Sequence, residues 1–319
     1  MVGQSLVSVF ASSVLPPVAI AAVGYALGTW RSVDVGPLNT VVLYVFVPAL
    51  VFHSLVTSTI GGETVVALAV AAAAFSLGMM ALAELVGRGV GETGDRLSGF
   101  VLTSAYPNAG NFGIPVATFA FGAVGRNTAV LFVVVQNVLL YTLGIALVSR
   151  GSVSPRTAVR RILSVPLIYA VIAAGVVVLL GIHPPADGTA MRTLGMVGNA
   201  AIPLFLLILG LQLADTDPGA ALRRTLPAAG LKLLVAPVVG AAVALAVGIG
   251  NPTAAKTFVL LCAAPAAILP LLLVVEFGEG TPGDVSGPEY VSAVIFVTLV
   301  GSVPVVTLLL SLLRSGLLF

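Results

Sequence analysis

Residues 103–122 read TSAYPNAGNFGIPVATFAFG. This apolar stretch is long enough to cross a membrane, yet it contains Pro107 and Pro115, with Gly110 and Gly113 between them. A proline inside a helix lacks the amide donor that the carbonyl four residues earlier needs, and glycine lets the backbone leave helical geometry. Unpaired backbone groups are costly in hydrocarbon, so such a break survives only inside protein or beside a wet cavity. The stretch therefore predicts a broken membrane helix at a binding site.

A second stretch, residues 260–277, reads LLCAAPAAILPLLLVVEF and is interrupted by Pro265 and Pro270. If the two breaks meet near the middle of the bilayer, four half-helices cross there, and Pro115 and Pro270 stand where the second half-helices begin. A helix start carries partial positive charge and free N–H groups. Two such starts at one point predict an anion site that needs no basic side chain.

The composition of the whole chain is typical of a membrane protein. Of its 319 residues, 59% are hydrophobic and only 8% are charged, whereas about a quarter of a soluble domain is charged. The 14 basic and 12 acidic residues provide no surface for nucleic acid. One cysteine and two histidines provide neither a disulfide nor a zinc site. We therefore expect an integral protein of the lipid bilayer that is not an enzyme and holds no metal or other cofactor.

Ten windows of roughly 20 apolar residues are long enough to cross a bilayer as helices. The ten predicted helices cover residues 8–28, 37–57, 64–86, 97–121, 127–148, 164–182, 190–213, 225–248, 253–275 and 289–312. Basic residues at helix ends favour the cytoplasmic side. The connections after helices one, three, five and seven hold nine basic residues, and the opposite side holds four. This bias predicts a plasma-membrane protein with both termini outside, in which the acidic connection 276–289 is the one cytoplasmic loop without a base.

Matched proline spacings indicate an internal repeat. Pro48 and Pro203 are 155 residues apart, and so are Pro115 and Pro270. A shared offset favours two related halves, and because each half has five helices, the second enters the membrane from the opposite side. The sequence thus predicts an all-α integral membrane fold of two inverted five-helix repeats, with helices four and nine broken and crossing. The predicted units are residues 1–150, a cytoplasmic linker at 151–163, and residues 164–319.

Polar side chains inside predicted membrane helices are costly and indicate functional sites. Asn108 and Asn111 lie within the helix-four break, and Gln136 is deep enough in helix five to need a partner. Glu84 and Lys232 are the only carboxylate and the only amine well inside a predicted helix. Three interpretations of these two groups stay open: snorkelling at the interface, a buried structural or proton-coupling role, and an ion pair with each other.

The stretch NAGNFGIP at residues 108–115 resembles the auxin efflux carrier family of membrane transport proteins, whose fourth helix carries the pattern N-x-G-N-x-G-x-P. LYVFVPALVF in helix two, GNAAIPLFLLILGLQL in helix seven, LKLLVAPV in helix eight and CAAPAA in helix nine agree as well. The resemblance implies a scaffold of helices one, two, six and seven, with a homodimer through helices two and seven. It implies a mobile elevator domain made of the other six helices, and a substrate that is an organic anion such as auxin, malate or malonate.

The resemblance also implies the location of the substrate site, at the breaks of helices four and nine. The predicted site residues are Asn108, Gly110, Asn111, Gly113, Pro115, Pro265 and Pro270, with Gln136 as a further candidate. The sequence therefore predicts a secondary transporter of a small carboxylate that works by alternating access. Coupling to protons, coupling to sodium bound by freed carbonyls, and uncoupled transport stay open. So do a cation/proton antiporter, which predicts aspartates at the crossing where none is present, an anion channel and a membrane receptor.

Overall fold

A computed structural model describes residues 6–149, 154–182, 184–185, 187–214, 219–278, 280 and 285–316. Apart from one backbone bridge, these residues form helices and their connections. The helices are α1 (Leu6–Trp30), α2 (Val35–Val56), α3 (Gly62–Gly89), α4 (Gly94–Ala105), α5 (109–121), α6 (123–148), α7 (Pro155–Leu163), α8 (Pro166–Leu179), α9 (Thr189–Ala214), α10 (Ala221–Val247), α11 (Pro252–Cys262), α12 (Leu269–Phe277) and α13 (Gly287–Arg314). α5 and α6 belong to one helical run, Ala109–Val148, that turns at Gly122, where φ is 62° and ψ is −141°.

The helices have the lengths and composition of a multi-pass membrane protein. Within the described ranges, 7 helical runs are long and apolar enough to cross a bilayer, and α8 and α11 are shorter apolar helices. Each of the ten predicted windows coincides with a long helix, a short apolar helix or a broken pair. The number of long helices is smaller by three, because helix six is the short α8, helix nine is divided into α11 and α12, and α5 and α6 form one run. The chain is thus an all-helical protein of the membrane.

The helices pack in two groups. The scaffold group comprises α1, α2, α8 and α9, in which α9 packs against α1 and α2, and α8 packs against α2. The crossing group comprises α3–α6 and α10–α13, in which α3 packs against α4, α6 and α10, α11 packs against α6 and α10, and α13 packs against α4. The first turn of α5 and the side of α9 meet where the two groups adjoin. The broken helices therefore lie in one group and face the other.

The predicted linker between the two repeats is partly helical. Residues 151–153 lie outside the described chain, and α7 occupies most of the remainder. Arg161 on α7 forms an ion pair with Glu276 at the end of α12, and its guanidinium lies 5.6 Å from the ring centroid of Phe277. The linker helix thus rests against the acidic connection. The first five and last three residues are also outside the described chain, so the predicted side of the termini stays a prediction.

Close helix packing in the scaffold group depends on glycine. A Cβ at Gly210 of α9 would collide with the carbonyl oxygen of Ala21 in α1, and a Cβ at Gly24 would collide with that of Leu207. We expect Gly210→Ala to lower the thermal unfolding midpoint of the purified protein, because a methyl forced into a packed contact costs about 1–3 kcal/mol. The measurement is a thermal unfolding scan in detergent.

Gly78→Ala is the matched control for this prediction. Gly78 lies in the middle of α3, and a Cβ there would meet no atom within 4 Å. Since alanine forms helices better than glycine, this variant should keep or raise the midpoint. Equal midpoints for the two variants would show that α1 and α9 are not held backbone to backbone.

Candidate functional site

The break in predicted helix four lies between α4 and α5. α4 ends at Ala105, the next residue, Tyr106, is extended, and α5 begins at Ala109. The first turn of α5 is wound more widely than an α-helix, and regular winding starts at Ile114. Wide turns of this kind often occur at functional sites. The predicted break is therefore confirmed, and it is short.

Asn108 caps the N-terminal end of α5. Its Oδ1 accepts a hydrogen bond of 3.1 Å from the N–H of Asn111, one of the donors that a helix start leaves without an internal partner. Regular α-helix starts at Ile114, so Pro115 is its second residue, and the predicted position of Pro115 at a half-helix start is confirmed. The cap from Asn108 adds one wide turn before it, starting at Ala109.

The break in predicted helix nine lies between α11 and α12. α11 ends at Cys262, and α12 begins at Leu269. Pro270 is the second residue of α12, a position where a helix does not need its amide donor. The predicted position of Pro270 at a half-helix start is therefore confirmed.

The two breaks lie side by side and run antiparallel. The N–H of Asn108 donates to the carbonyl of Pro265 at 2.7 Å, and the N–H of Ala267 donates to the carbonyl of Tyr106 at 2.9 Å. The residues between these two hydrogen bonds form an antiparallel bridge. Each break thus supplies partners for backbone groups that the other has released from its helix. The expected meeting of the two breaks is confirmed.

Side chains from the helices that follow each break satisfy further backbone groups. Gln136 of α6 donates from Nε2 to the carbonyl of Pro107 at 2.7 Å. Thr298 of α13 accepts a 3.0 Å hydrogen bond at Oγ1 from the N–H of Ala266. Gln136 was predicted to need a partner, whereas Thr298 was missed, because a threonine in an apolar helix usually bonds only its own helix. The Oε1 of Gln136 is buried and has no partner among the described residues.

Lys232 of α10 supports the helix-nine break as well. Its Nζ is fully buried, donates to the carbonyl of Cys262 at 3.2 Å, and lies 5.8 Å from the ring centroid of Phe75. Glu84 lies elsewhere and pairs with Arg88 one turn along α3 at 2.6 Å. The possibility that Glu84 and Lys232 pair with each other is therefore wrong, since each has a different partner.

The predicted site residues separate into those that face open space and those that hold the break together. Gly110 and Asn111 are partly exposed, and a Cβ at Gly110 would meet no atom within 4 Å. A Cβ at Gly113, by contrast, would lie 2.7 Å from the side chain of Leu261, so Gly113 allows α5 to approach α11. The buried members of the set are Asn108, Gly113, Pro115, Pro265, Pro270 and Gln136.

Two cavities flank the crossing where the helix groups adjoin. One of about 440 Å³ lies between α2, α9, α12 and α13 and reaches the break at Ile268. Its polar lining side chains are those of Asn39, Gln212, Glu289 and Ser292. The other, of about 650 Å³, is apolar and reaches α5 at Phe112 and Val116. Space large enough for a small molecule thus reaches the crossing from the side of each broken helix.

The chemistry of the crossing favours an anion. Helix starts and asparagine amides supply hydrogen-bond donors there. Residues 97–147 and 219–275, which include both breaks, contain no aspartate or glutamate. Among the described acidic residues, Asp95 in the first turn of α4 and Glu276 at the end of α12 lie closest to these ranges in the sequence, and Glu289 of α13 lines the smaller cavity. The two breaks therefore offer helix starts with partial positive charge and no carboxylate of their own, which favours a bound carboxylate over a bound cation.

A family model described as membrane transport protein matches residues 9–154 and 150–310. The chain belongs to this family. It is the auxin efflux carrier family indicated by the helix-four motif. A relative from Methanothermobacter thermautotrophicus, named an uncharacterized transporter, is 26% identical over 269 residues, which are 83% of this chain and 87% of the relative. The chain is therefore a membrane transporter.

Proposed function

We propose that this transporter is a secondary carrier of a small organic anion, with its substrate site at the crossing of the two broken helices. The observation that supports this proposal is the antiparallel pairing of the breaks, with hydrogen bonds of 2.7 and 2.9 Å between them. This pairing holds the N-terminal ends of α5 and α12 close together. Two helix starts, with no acidic side chain in either break, form a preorganised site for a carboxylate.

Within this site, Asn111 and Gly110 are the proposed contacts to the carboxylate, because both lie in the first turn of α5 and are partly exposed. Asn108 and Gln136 are buried and hold the backbone of the helix-four break in position through their side-chain hydrogen bonds. The glycine leaves room for a substrate to approach the backbone. The organic part of the substrate then extends into the adjoining cavities.

We further propose that the chain forms ten membrane crossings in two inverted repeats and that the crossing group moves against the scaffold group as an elevator. The equivalent support of the two breaks favours the repeat: the helix after each break, α6 or α13, donates or accepts one stabilising hydrogen bond. The separate packing of the two helix groups favours a rigid-body movement. The plasma-membrane location, the outside termini and the homodimer through helices two and seven belong to the same proposal.

The test is uptake of labelled carboxylates by purified protein in proteoliposomes. The panel comprises malate, malonate, short monocarboxylates and indole acetate, with and without imposed proton and sodium gradients. We expect saturable uptake of at least one member, and a loss of about tenfold or more in Asn111→Ala, the effect of removing a hydrogen bond to a charged group. Asn137→Ala, an amide truncation on α6 outside the break, is the matched control and should keep uptake.

Three results would contradict the proposal in whole or in part. Folded protein that takes up no member of the panel would exclude this substrate class. Steady conduction without saturation would instead identify a channel. Equal losses in Asn111→Ala and Asn137→Ala would leave a carrier whose site is not at the helix-four break.

A further inference from the structure

Lys232 is a charged group inside the crossing group for which the proposed substrate contacts have no use. The side chain is fully buried, and no carboxylate in the described part of the chain pairs with it. Its neighbours are the carbonyl of Cys262, 3.2 Å from Nζ, and the ring of Phe75, 5.8 Å from Nζ. Both are neutral groups that attract cations. The surroundings therefore form a small cation site, and the cation in it is the ammonium group of Lys232 itself.

The carbonyl of Cys262 is available only because helix nine is broken. In a continuous helix it would accept a hydrogen bond from the N–H of Ala266, four residues later. That N–H instead donates to Thr298 at 3.0 Å. Cys262 is also the last residue of α11, where the carbonyl end of a helix carries partial negative charge. The ammonium of Lys232 thus satisfies a buried acceptor and neutralises the end of the half-helix.

In broken-helix carriers, half-helix carbonyl ends and unwound backbone are the groups that coordinate a sodium ion. We propose that Lys232 is a tethered cation that takes the place of such an ion at the helix-nine break, so that transport by this chain needs no sodium. The break then contains a latent site for a monovalent cation that opens only when the lysine is removed. This inference rests on the proposed carrier function for its transport readout, but not for its binding readout.

The binding readout is thermal unfolding of purified protein in detergent, with sodium chloride compared against choline chloride at equal ionic strength. The native chain should unfold at the same temperature in both salts. Lys232→Ala should unfold at a lower temperature in choline and regain roughly 2–4 °C, saturably, in sodium. Lys232→Met, which fills the space without charge, should have a lowered unfolding temperature in both salts. Lys256→Ala, which removes the other lysine of the chain, is the control and should behave as the native chain in both.

The transport readout uses the same variants in proteoliposomes with whichever panel carboxylate the native chain takes up. Native uptake should be equal in sodium and choline media. Lys232→Ala should lose about tenfold or more in choline, the effect of losing a hydrogen bond to a charged group, and recover in sodium. Lys232→Arg should keep sodium-independent uptake, because it retains a cation at the carbonyl.

Several results overturn the inference. Sodium-dependent uptake or saturable sodium stabilisation of the native chain does so without any variant, and it leaves the carrier function intact. A folded Lys232→Ala protein that does not respond to sodium in either readout also overturns it. If the native chain transports no member of the panel, the carrier function fails, and the thermal comparison still decides whether the latent cation site exists.

Discussion

Asn108→Asp is expected to abolish organic-anion uptake while the protein stays folded. The new carboxylate keeps an acceptor for the N–H of Asn111, which Oδ1 of Asn108 holds at 3.1 Å, and aspartate is as good a helix cap as asparagine. It also places negative charge at the proposed anion site. Like charges about 5 Å apart repel by about 3 kcal/mol at an effective dielectric constant near 20, which is a loss of roughly two hundredfold. The measurement is the initial rate of uptake in proteoliposomes.

Asn251→Asp makes the same chemical change at a second helix cap. Oδ1 of Asn251 accepts a 3.0 Å hydrogen bond from the N–H of Ala254 at the start of α11, at the opposite end of that half-helix from the break. This variant should transport at close to the native rate. Equal loss in both variants would attribute the effect to capping rather than to the anion site. Native uptake by Asn108→Asp would place the substrate away from the helix-four break.

The breaks themselves were predictable from the sequence because proline acts locally. Pro107, Pro265 and Pro270 remove donors wherever the helix lies, so the sequence alone located both interruptions and indicated that they meet. The apolar pattern located the helices for a similar reason, since about 20 consecutive apolar residues are enough to cross a bilayer. Both predictions depend only on the composition of a segment and on interactions between residues close together in the sequence.

The partners of the freed groups were not predictable in the same way. Thr298 bonds the N–H of Ala266, and Lys232 bonds the carbonyl of Cys262, across helices that are distant in the sequence. Such contacts depend on the rotation and depth of each helix. Helices that are apolar on all sides carry no amphipathic pattern from which the rotation can be read. The wide turn before Pro115 was not predicted for a related reason, because it depends on the side-chain cap from Asn108.

A buried charge cluster holds the cytoplasmic connections together in the proposed orientation. Glu92 is 3% exposed, and its two carboxylate oxygens accept hydrogen bonds from Nε of Arg96 at 3.1 Å and Nε of Arg224 at 2.8 Å. Arg96 also donates to the carbonyl of Val285 at 3.1 Å. The connections after predicted helices three, seven and nine therefore meet at one carboxylate. The acidic connection without a base of its own receives positive charge from its neighbours.

Glu92→Gln is expected to destabilise the protein strongly. It removes the charge of Glu92 from a pair with Arg96 in which the two side chains are 3% and 8% exposed, whereas Arg224 is 43% exposed. Removing one partner of a buried ion pair costs about 3–5 kcal/mol. A thermal unfolding scan of the purified protein should show a midpoint lowered by about 10 °C, since roughly 2–4 °C correspond to each kcal/mol for a chain of this size class.

Glu84→Gln makes the same substitution in an exposed pair. Glu84 and Arg88 are 2.6 Å apart, but their side chains are 28% and 70% exposed, so solvent screens the charges and the pair contributes at most about 1 kcal/mol. Its midpoint should stay near that of the native protein. If Glu92→Gln unfolds at the same temperature as Glu84→Gln, the three connections are not held by a shared carboxylate. The packing of α4 against α13 would then have to hold the broken helices in position without help from Glu92.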